Sequence, residues 1–213
     1  MSGPHPSDTG ARGPEDRGPE DRGPEDRGPE DRGLWPLHDP AAGYTLDWAL
    51  VSDRVMGGVS EGRLSRAQMG GRAALRLQGA VRLDNNGGFL QMAADLAPGG
   101  GLPGGGLLDA RGFGGLRLVL CGNGARYGVH LRSADLARPW QSYRAQLAPG
   151  PDWAAYDLPF SAFRPHRTDA PMRLARLRRI GIVAIGAAFE ADVALAGLWL
   201  WPGRSSGVEG IAS

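Results

Sequence analysis

From residue 34 onward, apolar and polar residues alternate one by one in short runs that end in Gly, Pro or Asn, and this constrains the fold more than any other feature. Leu75 and Leu77 alternate with Arg76 and Gln78, and Leu116, Leu118 and Leu120 fall on one face. Tyr127, Val129 and Leu131 alternate with His130 and Arg132, and Tyr143, Ala145 and Leu147 with Arg144 and Gln146. A period of two gives each run one face for a core and one for water, which is the signature of a half-buried strand. Helical periodicity is scarce. Roughly nine to eleven strands over about 165 residues predict an all-β antiparallel sandwich. A chain of this size buries a full core without metal or disulfide support. Gly122-Asn123-Gly124 reads as a tight hairpin between two of the strands, because Asn and Gly both tolerate positive φ.

The most apolar region, Ile180 to Trp201, is interrupted by Glu190-Ala191-Asp192. Each remaining piece is too short to cross a bilayer as a helix, so the region predicts two buried strands and a turn and no integral membrane segment. Residues 1–33 differ in kind. They carry four copies of Gly-Pro-Glu-Asp-Arg from Gly13 to Arg32 and no Val, Leu, Ile, Phe, Tyr or Trp. Such a segment buries too little surface to offset the entropy of ordering it, and its period is far below that of a solenoid. The expected organisation is a disordered tail over 1–33, a β-sandwich over 34–204 and a flexible C-terminus over 205–213. The glycine-rich connection Ala97 to Gly106 is expected to be a mobile loop.

Charge excludes some functions. The tail holds nine acids and five arginines, the remainder fourteen acids and nineteen arginines. That mild surplus, with no arginine run interleaved with stacking aromatics, argues against nucleic acid. The densest stretch, Arg173 to Arg179, reads as a solvated turn or short helix before a strand, with a patch for an acidic partner as the alternative. One cysteine, Cys121, excludes an internal disulfide and a multi-cysteine zinc site; ending an apolar strand, it is expected to be a buried thiol. Every basic residue is Arg, which with abundant Ala, Gly and Pro suggests a GC-rich genome. The acidic N-terminus lacks the plan of a secretory signal or a transit peptide, so a bacterial cytosol is the expected location.

Chemistry is sparse. His5, His38, His130 and His166 are scattered, with no metal-ligand spacing, and no Gly-x-Ser-x-Gly elbow occurs. His130 reads as a solvent-exposed imidazole on a polar strand face and His166 as part of an irregular loop. Gly122 to Gly128 echoes a dinucleotide loop, but a strand rather than a helix follows it. No catalytic residue, metal or cofactor is expected, and the chain is expected not to be an enzyme.

Two double-glycine segments remain, Asp53-Arg-Val-Met56-Gly57-Gly58-Val59-Ser60-Glu61 and Asn85-Asn86-Gly87-Gly88-Phe89. Paired glycines specify shape, since they permit positive φ and close backbone approach. The segments are therefore expected to lie close together, at neighbouring strands or at one end of the sandwich. Asp53, Ser60, Asn85 and Asn86 suit turns, where short polar side chains bond nearby backbone. The sharper reading is a partner-binding surface built from Asp53, Met56, Gly57, Gly58, Ser60, Asn86, Gly87, Gly88 and Phe89, with Met56 as an adaptable apolar contact. Trp48, Trp140, Trp153, Phe160, Phe163, Trp199 and Trp201 read as core or sheet-covering aromatics.

From Trp48 to Trp201 the chain resembles the complex I intermediate-associated protein family. The resemblance rests on the two glycine segments and on Tyr127 to Arg132, Trp140 to Leu147 and Trp153 to Phe163. It implies a jelly-roll sandwich of the galactose-binding-domain type and a non-enzymatic, chaperone-like role in assembling NADH:ubiquinone oxidoreductase. Its partners would be subunits or intermediates of that complex, with membrane association only through them. The alternatives are a carbohydrate-binding module and an enzyme with a spatially assembled site. A coplanar row of exposed Trp or Tyr would mark a sugar site, and a basic or apolar patch beside the glycine segments would mark a protein partner.

Overall fold

A computed structural model describes residues 33–97 and 106–203. The expectations for the tail, the glycine-rich loop and the C-terminus lie outside these residues. The strands are β1 (Trp35–His38), β2 (Ala49–Ser52), β3 (Glu61–Met69), β4 (Arg72–Val81), β5 (Phe89–Asp95) and β6 (Phe113–Gly122). They continue with β7 (Tyr127–Ser133), β8 (Ser142–Leu147), β9 (Ala154–Pro159), β10 (Arg164–His166), β11 (Leu177–Ile185) and β12 (Phe189–Pro202). Sheet 1 runs β3-β4-β12-β6-β9, with β1 also on β12, and sheet 2 runs β10-β8-β7-β11-β5-β2. Every pairing is antiparallel.

The alternating residues become the core. Leu77, Leu116, Leu118, Leu120, Val193 and Leu195 from sheet 1 meet Leu90, Met92, Tyr127, Val129, Leu131, Ile180 and Ile182 from sheet 2, all without exposed surface. Burying one such side chain contributes roughly 1.5–3 kcal/mol. On β12 the pairing with β6 slips between Leu195 and Gly197. Because strand periodicity is two, that irregularity resets the phase and keeps Leu198 and Leu200 in the core instead of turning them to solvent.

Several details differ from the sequence expectations. The twelve strands among the described residues exceed the expected number because β1 and β10, of four and three residues, are too short to show a period. Gly122-Asn123-Gly124 is not a hairpin: β6 lies in sheet 1 and β7 in sheet 2, so the segment is a corner between layers. Asn123 holds it, its amide donating to the Glu190 carbonyl at 2.7 Å and its Oδ1 accepting from the Tyr127 hydroxyl at 2.9 Å. The turn inside the apolar C-terminal region falls at residues 186–188, and Asp192 lies within β12, where Arg76 grips its carboxylate at 2.6 and 2.7 Å.

Phe160 and Phe163 are buried, Trp48 packs against the core and Trp153 donates to the Met69 carbonyl, but Trp140 is 52% exposed. It sits between β7 and β8, outside either layer, with the Arg138 guanidinium 5.9 Å from its ring. Cys121 is a buried free thiol. His130 is half-buried rather than solvent-exposed, and burial foremost pushes its pKa down to about 3. His166 belongs to β10, not to an irregular loop.

Candidate functional site

The two double-glycine segments meet around one carboxylate. Asp53 follows β2 and opens a single 3-10 turn, Asp53–Met56, which Gly57 closes at a left-handed φ of 87°. The chain then returns through Gly58 and Val59 to Ser60, ahead of β3. Asp53 is completely buried. Its Oδ1 accepts from the Ser60 amide at 3.0 Å, and its Oδ2 accepts from the Ser60 hydroxyl and the Gly88 amide, both at 2.5 Å. A longer bond of 3.4 Å comes from the Phe89 amide. Ser60 Oγ in turn accepts from the Arg82 amide at 3.0 Å. One side chain thus ties the β2–β3 loop to the β4–β5 loop.

A buried carboxylate is stable only when its charge is answered. Burial, the largest influence, pushes the Asp53 carboxyl up; the Ser60 hydroxyl and the amides of Gly88, Ser60 and Phe89 together outweigh it and hold the group below the usual carboxylate range. Asp53 is therefore ionised at neutral pH, and among the described residues its charge is answered by hydrogen bonds to the charged form and not by a cation.

The glycines make room for this carboxylate. A Cβ on Gly58 would collide with the Asp53 carboxyl group, and one on Gly87 would stand 2.5 Å from Oδ2. Gly88, at φ 122°, could carry a Cβ only 2.7 Å from Leu83. The Asn85 side chain, itself on a left-handed residue at φ 56°, donates to the Gly57 carbonyl at 3.4 Å and closes the junction.

The expected site residues accordingly separate. The segments come together at one end of the sandwich, but Asp53 and Ser60 have no exposed surface and Gly58 and Gly88 are buried. Those four cannot touch a partner and instead fix the loops. The close approach that the glycines allow is to Asp53 and not to a partner's backbone. Phe89 and Gly87 are half-buried, Gly57 is exposed, and the side chain of Asn86 lies outside the described residues.

Beside the exposed Arg54, Arg82, Asp84 and Asn85, the loops present four apolar side chains outward: Val55 is 74% exposed, Met56 67%, Leu83 52% and Val59 38%. Sequence reasoning found Met56 and missed the other three. Val55 and Val59 flank the double glycine, a hydrophobic run without strand period, which is the signal that could have found them; Leu83 carries no such mark. Two exposed ion pairs rim the patch, Arg54 with Glu61 at 3.5 Å and Arg82 with Glu190 at 3.7 Å. Such pairs contribute little to stability and more to selectivity.

Elsewhere, among the described residues, no group of His, Cys, Asp and Glu is placed to hold a metal, and no helix is long and apolar enough to cross a membrane. Among the described residues, the exposed Trp and Tyr side chains are Trp35 on β1 of sheet 1, Tyr44 in the β1–β2 connection and Trp140 in the β7–β8 loop of sheet 2. Trp199 and Trp201 share the outer face of β12, half-buried, with their rings over Gly197 and over Gly114 and Gly115.

The fold is similar to that of solved carbohydrate-binding modules. The family 11 module of the cellulosomal cellulase Lic26A-Cel5E of Clostridium thermocellum superposes with a TM-score of 0.61 at 14% identity, covering 80% of this chain and 95% of that one. The family 30 module of the cellulase Cel9D-Cel44B of the same organism gives 0.55 at 12% identity, covering 75% and 94%. At such identities the likeness shows the sandwich fold alone. No curated protein matches the chain. Residues 39–195, which contain both glycine segments, the Asp53 staple and all but the ends of the sandwich, match the family described as Complex I intermediate-associated protein 30. The chain belongs to the complex I intermediate-associated protein 30 family.

Proposed function

We propose that this protein is a non-enzymatic binding module that holds an assembly intermediate of NADH:ubiquinone oxidoreductase through the glycine-loop end of its sandwich. The observation that carries the reading is the exposed apolar set Val55, Met56, Val59 and Leu83, mounted on loops that the buried Asp53 carboxylate makes rigid. An apolar patch rimmed by charge marks a contact surface, and rigid loops reduce the ordering entropy that binding costs. Family membership supplies the partner class. In this reading the protein reaches a membrane only through that partner.

The test is genetic. Deletion in the native host is expected to lower assembled NADH dehydrogenase activity and leave other respiratory enzymes near normal, and normal complex I in the deletion strain would dismiss the assembly role.

A second reading, sugar binding, is favoured by the likeness to carbohydrate-binding modules and by the Trp199 and Trp201 rings laid on the sheet. One solved family 11 module holds a β-1,3-1,4-mixed-linked tetrasaccharide. Titration of that tetrasaccharide, followed by calorimetry and tryptophan fluorescence, separates the readings: saturable binding supports sugar recognition, and silence in both signals supports the protein partner.

A further inference from the structure

On the outer face of sheet 2, Arg144 of β8 stands directly opposite Arg164 of β10 on one side and His130 of β7 on the other. Directly opposed residues of an antiparallel pair share a face with Cβ atoms about 5 Å apart, where like charges repel. His166 lies two residues along β10, and Arg167 follows at a φ of 54°, a left-handed conformation that a non-glycine residue holds only under strain. Arg144 Nε donates to Ser142 Oγ at 3.0 Å and Arg164 Nη1 to the Ser161 carbonyl at 2.9 Å. Among the described residues, no carboxylate pairs with Arg144, Arg164 or Arg167, and β7, β8 and β10 contain no acid.

The rest of the sheet is treated differently. Arg179 pairs with Asp95 at 2.9 Å, Arg176 with Asp135 at 3.1 Å, and Arg132 donates to the carbonyls of Leu136, Arg138 and Pro139. The Arg173 to Arg179 stretch, which reads as the basic segment in the sequence, is thus partly neutralised. The uncompensated charge lies three strands away at the β10 edge. Burial first, and then nearby Arg144, lower the pKa of both His130 and His166, so the two imidazoles add no positive charge of their own beside the guanidiniums at neutral pH.

We propose that the outer face of β7, β8 and β10 docks an acidic segment of a protein partner, its carboxylates seated among Arg144, Arg164 and Arg167. Charge complementarity names the occupant: guanidinium forks match carboxylates bidentately. Three adjacent strands span about 10 Å, which suits acidic side chains two or three residues apart on an extended segment. The three-residue edge strand β10 leaves that segment an open side. A nucleic-acid backbone calls for a longer cationic track than three guanidiniums on a chain of net charge +1. This surface lies at the β10 edge of sheet 2 and the glycine loops at the β2 edge, so it stands apart from the proposed function.

The test is fluorescence anisotropy on the full chain with a labelled octapeptide of alternating Glu and Gly, its Gln counterpart and a single-stranded oligonucleotide. The acidic peptide is expected to bind, to weaken with added salt, and to lose about tenfold in affinity for each of Arg144→Gln and Arg164→Gln, the factor of one charge-assisted hydrogen bond. Met56→Asp is expected to leave this binding unchanged, which separates it from the glycine-loop reading. Should Arg144→Gln fail to fold, the exposed pair Arg164→Gln and Arg167→Gln gives the same readout. No binding of the acidic peptide, equal binding of the Gln peptide, tighter binding of the oligonucleotide, or wild-type affinity in the variants would each overturn the proposal.

Discussion

At the residue scale, Asp53 is the side chain on which the site depends. Asp53→Asn places an amide donor against the Ser60 and Gly88 donors and is expected to destabilise the protein by about 3 kcal/mol, read as a shift in denaturant midpoint at constant m-value. An unchanged midpoint would mean that the loops do not need the staple. The folded pKa of Asp53 lies below its unfolded value, so the stability it supplies is complete above about pH 4 and is lost as pH falls further. His38 acts in a different window. It is buried, its Nδ1 accepts from the Leu46 amide at 3.2 Å, and burial pushes its pKa from 6.5 to about 4. The unfolded chain then binds more protons between those values, so stability should fall as pH drops from about 6.5 to about 4, and His38→Gln should flatten that limb of the stability curve. A His38→Gln protein with the wild-type slope would assign the dependence elsewhere, and half-buried His130 is the next group to replace.

At the scale of elements, the glycine loops offer a comparison between neighbours. Gly57 has a left-handed φ and nothing within 4 Å of an added Cβ, so Gly57→Ala carries only the conformational penalty, about 1 kcal/mol. Gly58 faces the Asp53 carboxyl group, so Gly58→Ala adds a steric clash and should cost at least twice as much by thermal or chemical denaturation. Equal effects would show that the close approach carries no energy. The strands were legible from sequence wherever one face is buried and the other wet, as in β7 and β8. They were not where the element is too short to show alternation, as in β10. Gly122-Asn123-Gly124 was legible as a turn, but the partners of its flanking strands are chosen tens of residues away, so a corner and a hairpin look alike. The same non-locality hid the roles within the site. The Val-Met-Gly-Gly-Val run announced a shaped loop, but whether Asp53 points inward is decided by Gly88, thirty-five residues on.

At the scale of the whole molecule, the sandwich separates two kinds of surface at opposite edges of sheet 2: apolar loops beside β2 and uncompensated arginines beside β10. In the proposed function, the Val55, Met56, Val59 and Leu83 patch is the surface that acts in complex I assembly. Met56 is mostly exposed, so Met56→Asp should leave the denaturation midpoint within about 0.5 kcal/mol of wild type while placing a charge in the middle of an apolar contact. The most direct measurement is assembled NADH:ubiquinone oxidoreductase activity in a deletion strain complemented with Met56→Asp. A folded variant that fails to restore the enzyme is expected, whereas full restoration by that folded variant would exclude the patch as the assembly surface.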